Sequence, residues 1–154
     1  MRNTASTGGW GLLAAAAGCV LATPVAVWWL VGDLSVAAPA GTGLDYVIRP
    51  PVIDPWVERV IGIGGLLVTG LTLVLLVRAS RRRRFDHRWW AALLPAMGAG
   101  IVAGFGARVV TAGTIGANIG AGLTIMLGGA LMAVLLLWAI GWSARLLLSR
   151  GSRH

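Results

Sequence analysis

Long uncharged runs and short charged breaks alternate along this chain. Trp10 to Val31 runs 22 residues without a charge. Val60 to Val77, Trp89 to Ala107 and Gly120 to Trp142 are three further uncharged runs. At about 1.5 Å of rise per residue, each is long enough as a helix to cross a hydrocarbon core of roughly 30 Å, allowing for its flanks. The pattern predicts an all-α integral membrane protein, a single domain of four transmembrane helices in an up-down bundle. The spans are expected at about 10–31, 58–78, 89–110 and 119–142. A signal peptide cleaved after Ala38-Pro39-Ala40 competes for the first run. Its apolar part is longer than the roughly 7–15 residues of an h-region, so an uncleaved helix is expected. Pro24 falls inside that helix and predicts a kink, with neighbouring helices satisfying the carbonyl it frees.

The breaks set the orientation. Arg78, Arg81, Arg82, Arg83, Arg84 and Arg88 put six arginines in and beside the 79–88 loop. Such a segment must lie in water, and short basic loops stay on the cytoplasmic side. The inner segments then carry Arg2, those six, Arg145, Arg150 and Arg153. The outer side carries only Arg49, Arg59 and Arg108, against four of the five acids. Both termini are expected to be cytoplasmic. All eight tryptophans lie near expected helix ends, where an apolar ring with a polar N–H prefers to sit. The outer loop, 32–57, holds Pro39, Pro50, Pro51 and Pro55, a density that favours turns and extended backbone. A second, tighter outer turn is expected between Thr111 and Asn118.

Composition sharpens this picture. Charged residues are 12% of the chain, about half the usual soluble share. The net charge of +8 would draw nucleic acid if it were spread over a soluble surface. Here it clusters at the ends of apolar runs, so no nucleic-acid partner is expected. The expected partners are the bilayer itself and anionic lipid headgroups at the cytoplasmic face, contacted by Arg81, Arg82, Arg83 and Arg84. All 13 Lys-or-Arg positions are Arg. With abundant Ala and Gly, this leads us to expect a bacterial source and an inner-membrane location. Cys19 is the single cysteine, so no intrachain disulfide exists and a small buried hydrophobe is expected there.

Small residues mark the helix contacts. Ala92, Ala96, Gly100, Gly104 and Arg108 recur every four residues, and Gly116, Gly120, Thr124 and Gly128 do the same in the fourth run. Residues so spaced share a face, and small ones let backbones approach closely. Ala96, Gly100, Gly104, Gly120 and Gly128 are therefore expected at contacts, within one chain or in a homo-oligomer. Arg108 continues its row to a depth of roughly 27 Å from Trp90, near the far edge of the core. It either snorkels or meets a carboxylate. Asp33 and Glu58 lie at similar depth, and Asp33 is the expected partner because Glu58 already has Arg59 beside it. Thr111, Thr114 and Asn118 complete the polar cluster near that face.

No catalytic, metal or cofactor site is expected. His87 and His154 sit in basic segments without ligand spacing, Asp45 and Asp54 match no cation loop, and no nucleophilic triad is supported. Quinone-linked thiol oxidoreductases need cysteine pairs, which one cysteine excludes. Small multidrug transporters resemble this chain in size but depend on an intramembrane Glu that Trp10–Val31 lacks. Gly106-Ala107-Arg108 with Gly113 to Asn118 resembles a motif of small fluoride channels. It falls in the wrong half of the chain, with a shorter Arg-to-Thr spacing and without that family's broken helix, and is read as chance. The expected function is a non-enzymatic accessory or scaffold subunit held by its helices, alone or beside a membrane-protein partner. A small oligomeric transporter or channel is the alternative, and an enzyme ranks third.

Overall fold

The computed structural model describes residues 4–35, 44–113 and 117–151, with side chains at 10–35, 44–113 and 119–149. The described residues are helical throughout their regular parts. Helix α1 covers Thr4–Val31, α2 Pro55–Arg81, α3 Trp90–Thr111, α4 Ala117–Leu123 and α5 Gly129–Gly151. A π-helical turn at Thr124–Gly128 joins α4 to α5. Four helical stretches are long and apolar enough to cross a membrane: Trp10–Val31, Pro55–Arg81, His87–Thr111 and Ile119–Ser149. Leu66, Leu67, Leu71, Val74 and Leu75 on α2 and Leu136, Leu137 and Ile140 on α5 stand exposed. An apolar surface of this extent is stable only against lipid, and the chain is a multi-pass membrane protein.

Local chemistry explains where the helices begin and end. Asp54 accepts the Trp56 N–H at 2.8 Å, and Pro55 follows at a position that needs no N–H. The helix therefore starts inside the segment expected to be outer loop, three residues before Glu58. Gly32 ends α1 with φ +70, a left-handed conformation in which a side chain would be strained. At the other end of α2 the helix runs on to Arg81, and Arg83 takes φ 56 to reverse the chain. Asp86 then accepts the Arg88 N–H at 3.0 Å and caps a 3-10 turn, His87–Trp89, that leads into α3. The last helix continues past Trp142, so the fourth expected span is extended.

Helix α1 packs against both α2 and α3, and α3 packs in turn against α5. A core of Ala15, Cys19, Leu76 and Leu93 fills the junction of the first three, with Phe85, Trp90 and Met97 against it. Cys19 is fully buried, and its thiol donates to the Met97 sulfur at 3.6 Å. The α1–α3 contact tightens toward Gly104. At Gly100 a Cβ would lie 3.1 Å from Pro24 Cδ. At Gly104 it would overlap the Pro24 carbonyl oxygen and lie 3.0 Å from the Trp28 nitrogen. Only glycine lets the two backbones come this close. Ala96, one step earlier in the row, is half-buried and lines a cavity.

The fourth run behaves differently from its pattern. Gly128 has Val102 Cγ1 at 3.5 Å from its Cβ position, an ordinary contact. Gly120 has nothing within 4 Å, so the expectation of a helix contact there is corrected. The row meets α3 at Gly128 and at Thr124, whose Cγ2 lies 3.5 Å from the Cβ position of Gly106. Gly120 is one turn further on, in α4, level with the end of α3 at Thr111, where the facing helix stops. Helix α5 is tied to the start of α3 by two indoles instead. Trp138 and Trp142 stack with centroids 6.2 Å apart and donate to the carbonyls of Ala91 and Arg88, at 3.2 and 3.0 Å.

Candidate functional site: a buried arginine and an open apolar groove

Arg108 stands in the last turn of α3, where a cation suits the negative end of the helix dipole. It is buried, with 9% of its surface exposed. Its partner is Glu58, in the first turn of α2, where a carboxylate suits the positive end. Nε donates to the Trp28 carbonyl at 2.7 Å, in the last turn of α1, where carbonyls lack an intrahelical acceptor role. The guanidinium also lies 3.7 Å from the centre of the Trp28 ring. One side chain thus joins the ends of three helices, and its charge, donors and flat face each meet a partner.

The expected partner, Asp33, is corrected. Its carboxylate accepts the Ser35 backbone N–H at 2.9 Å and stands exposed. Those bonds from Ser35, backbone first and hydroxyl second, hold Asp33 below the usual carboxylate range. Partial burial opposes them, and the Arg108 charge reinforces them more weakly. Ser35 links the layers again, since its Oγ accepts the Gly113 N–H at 3.0 Å. The Tyr46 ring lies where a Cβ on Gly113 would fall, so this end is covered by aromatic and main-chain packing. Thr111 donates to its own helix, to the Ala107 carbonyl at 2.7 Å. Thr114 and the Asn118 side chain lie outside the described residues, so the expected polar cluster resolves to Arg108 and Glu58 with Asp33 nearby.

At the other end of the same helices the space is open. A cavity of about 1050 Å³ lies between the start of α1, the start of α3 and the end of α5. Leu13, Ala16, Val20, Leu93, Ala139 and Leu147 are among its apolar walls. Trp10, Arg84, Asp86, Trp89 and Ser143 stand at its polar side. Arg81, Arg82, Arg83 and Arg84 are all exposed, and of these Arg84 lines the cavity. Among the described residues, no three of His, Cys, Asp and Glu gather as a metal site.

Two features of this geometry had no sequence signal that was read: the Trp28 carbonyl and ring beneath Arg108, and the cavity. The first was partly accessible, because Trp28 sits at the end of α1 at the depth assigned to Arg108. Comparison with models of protein families, with curated proteins and with solved structures finds no match.

Proposed function

We propose that this chain is a non-enzymatic accessory or scaffold subunit of a bacterial inner membrane. Its four helices run up and down with both termini in the cytoplasm, and its Arg81–Arg84 segment rests against anionic headgroups. The observation that carries the reading is the state of Arg108. The one buried guanidinium among the described residues is bonded to Glu58 and Trp28 and stacked on an indole. Such a cation ties helices together and leaves no charge free for a moving ion or a reacting group. Contacts between the end of α1, the start of α2 and the end of α3 support the alternating direction. The arginine distribution supports the orientation.

Two experiments test this. In mild detergent a stoichiometric protein partner is expected to co-purify, and its absence together with solute flux in proteoliposomes would overturn the scaffold reading. For orientation, Cys19→Ala is combined with a single cysteine at Asp45 or at Asp86. An impermeant thiol reagent on intact cells is expected to label position 45, and labelling at 86 instead inverts the topology. The π-helical turn at Thr124–Gly128 favours a small oligomeric transporter or channel as the second reading. Such turns occur often at functional sites, and Thr124 lies across from Gly106 on α3. Flux that is lost when the turn is regularised would select it.

A further inference from the structure

The cavity between α1, α3 and α5 has a definite depth. On α1 its wall runs from Trp10 to Leu21, roughly 16 Å at helical rise. On α5 it runs from Leu136 to Leu147, the same length. That is about half of a hydrocarbon core, the reach of one leaflet. Its polar end coincides with the tryptophan and arginine layer, and its apolar end stops near the middle of the helices. Its volume, about 1050 Å³, is at the upper end of the roughly 300–1,000 Å³ of small-molecule sites. A spanning helix is about 30 Å long. The space fits flexible chains of one leaflet and is too short for a crossing helix.

Charge at the mouth selects the headgroup. Arg84 lines the cavity, and Arg81, Arg82, Arg83 and Arg88 are exposed on the same short segment. Asp86 also lines it, but one of its carboxylate oxygens accepts the Arg88 backbone N–H. The balance at the mouth is positive, and a phosphate there gains a charge-assisted bond from a guanidinium. Trp10 and Trp89 stand at headgroup depth on either side.

We propose that this groove is a binding site for one anionic phospholipid of the cytoplasmic leaflet, with its acyl chains between α1 and α5 and its phosphate at Arg84. The inference rests on the reading that the arginine segment meets anionic headgroups, and adds a fixed site to it. Attraction by a row of arginines is diffuse and depends on how many there are. A groove makes Arg84 count more than its neighbours and makes the space between the helices matter.

The test uses the full chain, delipidated in mild detergent, with phosphatidylglycerol and phosphatidylcholine of matched chains as probes and native mass spectrometry as readout. Ala17 and Ala144 line the groove yet are exposed, so Ala17→Trp and Ala144→Trp fill it without crowding the core. Leu71→Trp, exposed on α2, which contributes no residue to the groove's walls, is the control. The wild type is expected to keep one phosphatidylglycerol in preference to phosphatidylcholine. Each groove variant is expected to retain at least about fivefold less, and the control as much as wild type. Arg84→Gln is expected to lower the preference about fivefold, the contribution of one juxtamembrane arginine. The triple variant Arg81→Gln, Arg82→Gln, Arg83→Gln is expected to lower it less. Full retention in both groove variants, with loss that tracks only the number of arginines, overturns the groove and leaves the headgroup reading standing. Unchanged phosphatidylglycerol retention in every arginine variant overturns both. If the groove variants instead turn a dimer into a monomer, or release a protein partner, with lipid retention unchanged, that occupant fills the groove and the lipid site is wrong.

Discussion

At the Arg108 end of the molecule, a cation meets a carboxylate, a main-chain carbonyl and an indole face, and Gly104 brings two backbones into contact. At the Arg84 end, arginines stand exposed and a cavity of about 1050 Å³ separates α1 from α5, while α1 and α3 still meet at Ala15, Cys19 and Leu93. Helices α1 and α3 contribute to both ends. What differs is residue size along their facing rows. Pro24, Gly100 and Gly104 allow closure, whereas Ala16, Ala96 and the larger residues flanking them leave room that α5, which packs on α3, does not take up. In lipid, where no water is expelled by helix association, closeness of this kind is the main source of cohesion. Added bulk should therefore be tolerated least where Gly104 meets Pro24 and most along the open face between α1 and α5.

The sharpest way to break this comparison is to add bulk at each end. Gly104→Leu would drive a side chain into the Pro24 carbonyl and is expected to abolish the folded form in mild detergent, read as loss of a single species on size-exclusion chromatography. Gly104→Ala, with one methyl, is expected to cost about 1–3 kcal/mol, as overpacking does. Ala17→Trp adds an indole at the open end and is expected to stay within about 0.5 kcal/mol. If Gly104→Ala melts no lower than Ala17→Trp, the contrast is wrong.

The ion pair comes next in size. Arg108→Gln is expected to cost about 2–3 kcal/mol, below the usual range for a broken buried pair because Glu58 remains one-third exposed. A double-mutant cycle with Glu58→Gln should give a coupling of about 1 kcal/mol or more, and the same cycle with Asp33→Asn less than about 0.5 kcal/mol. A larger coupling to Asp33 would return the partnership to that residue.

The smallest effect is one of pH. The folded state holds the Asp33 carboxyl below its ordinary range, chiefly through the bonds from Ser35. A lowered folded value means stability that is present above the unfolded value, near pH 4, and lost as pH falls through the folded one. Thermal melting between pH 6 and about 3 is expected to drop further in the wild type than in Asp33→Asn. Equal drops would show that the Ser35 turn contributes nothing at this end.

Much of this architecture was legible in the sequence, and the exceptions have separate causes. The spans followed from uncharged length, a property that survives any detail of packing. The row Gly100, Gly104, Arg108 was legible because α3 is regular there and the four-residue spacing holds. The row of the fourth run failed at Gly120 because the facing helix α3 stops at Thr111, and spacing within one run does not say where its neighbour ends. The start of α2 was misread because prolines were counted as loop, although Asp54-Pro55 is also a helix-start signal. Asp33 was preferred over Glu58 because Arg59 adjoins Glu58 in sequence. Adjacent residues on a helix do not face each other, so Arg59 never competed. The Trp28 carbonyl has no side-chain signature, and a gap between α1 and α5 is a property of what two helices fail to touch.

The Arg108–Glu58 bridge also bears on how such a chain enters a bilayer. In the proposed orientation α3 inserts with Arg108 leading, and an uncompensated arginine at the centre of the core costs about 2.5–3.5 kcal/mol during passage. Glu58 precedes it by 50 residues and arrives with α2. The acceptor for the guanidinium is thus already installed on the far side when the cation starts across. In that orientation, chain order provides the partner before the cation that needs it, and the bridge offsets at the far face what the arginine's passage costs.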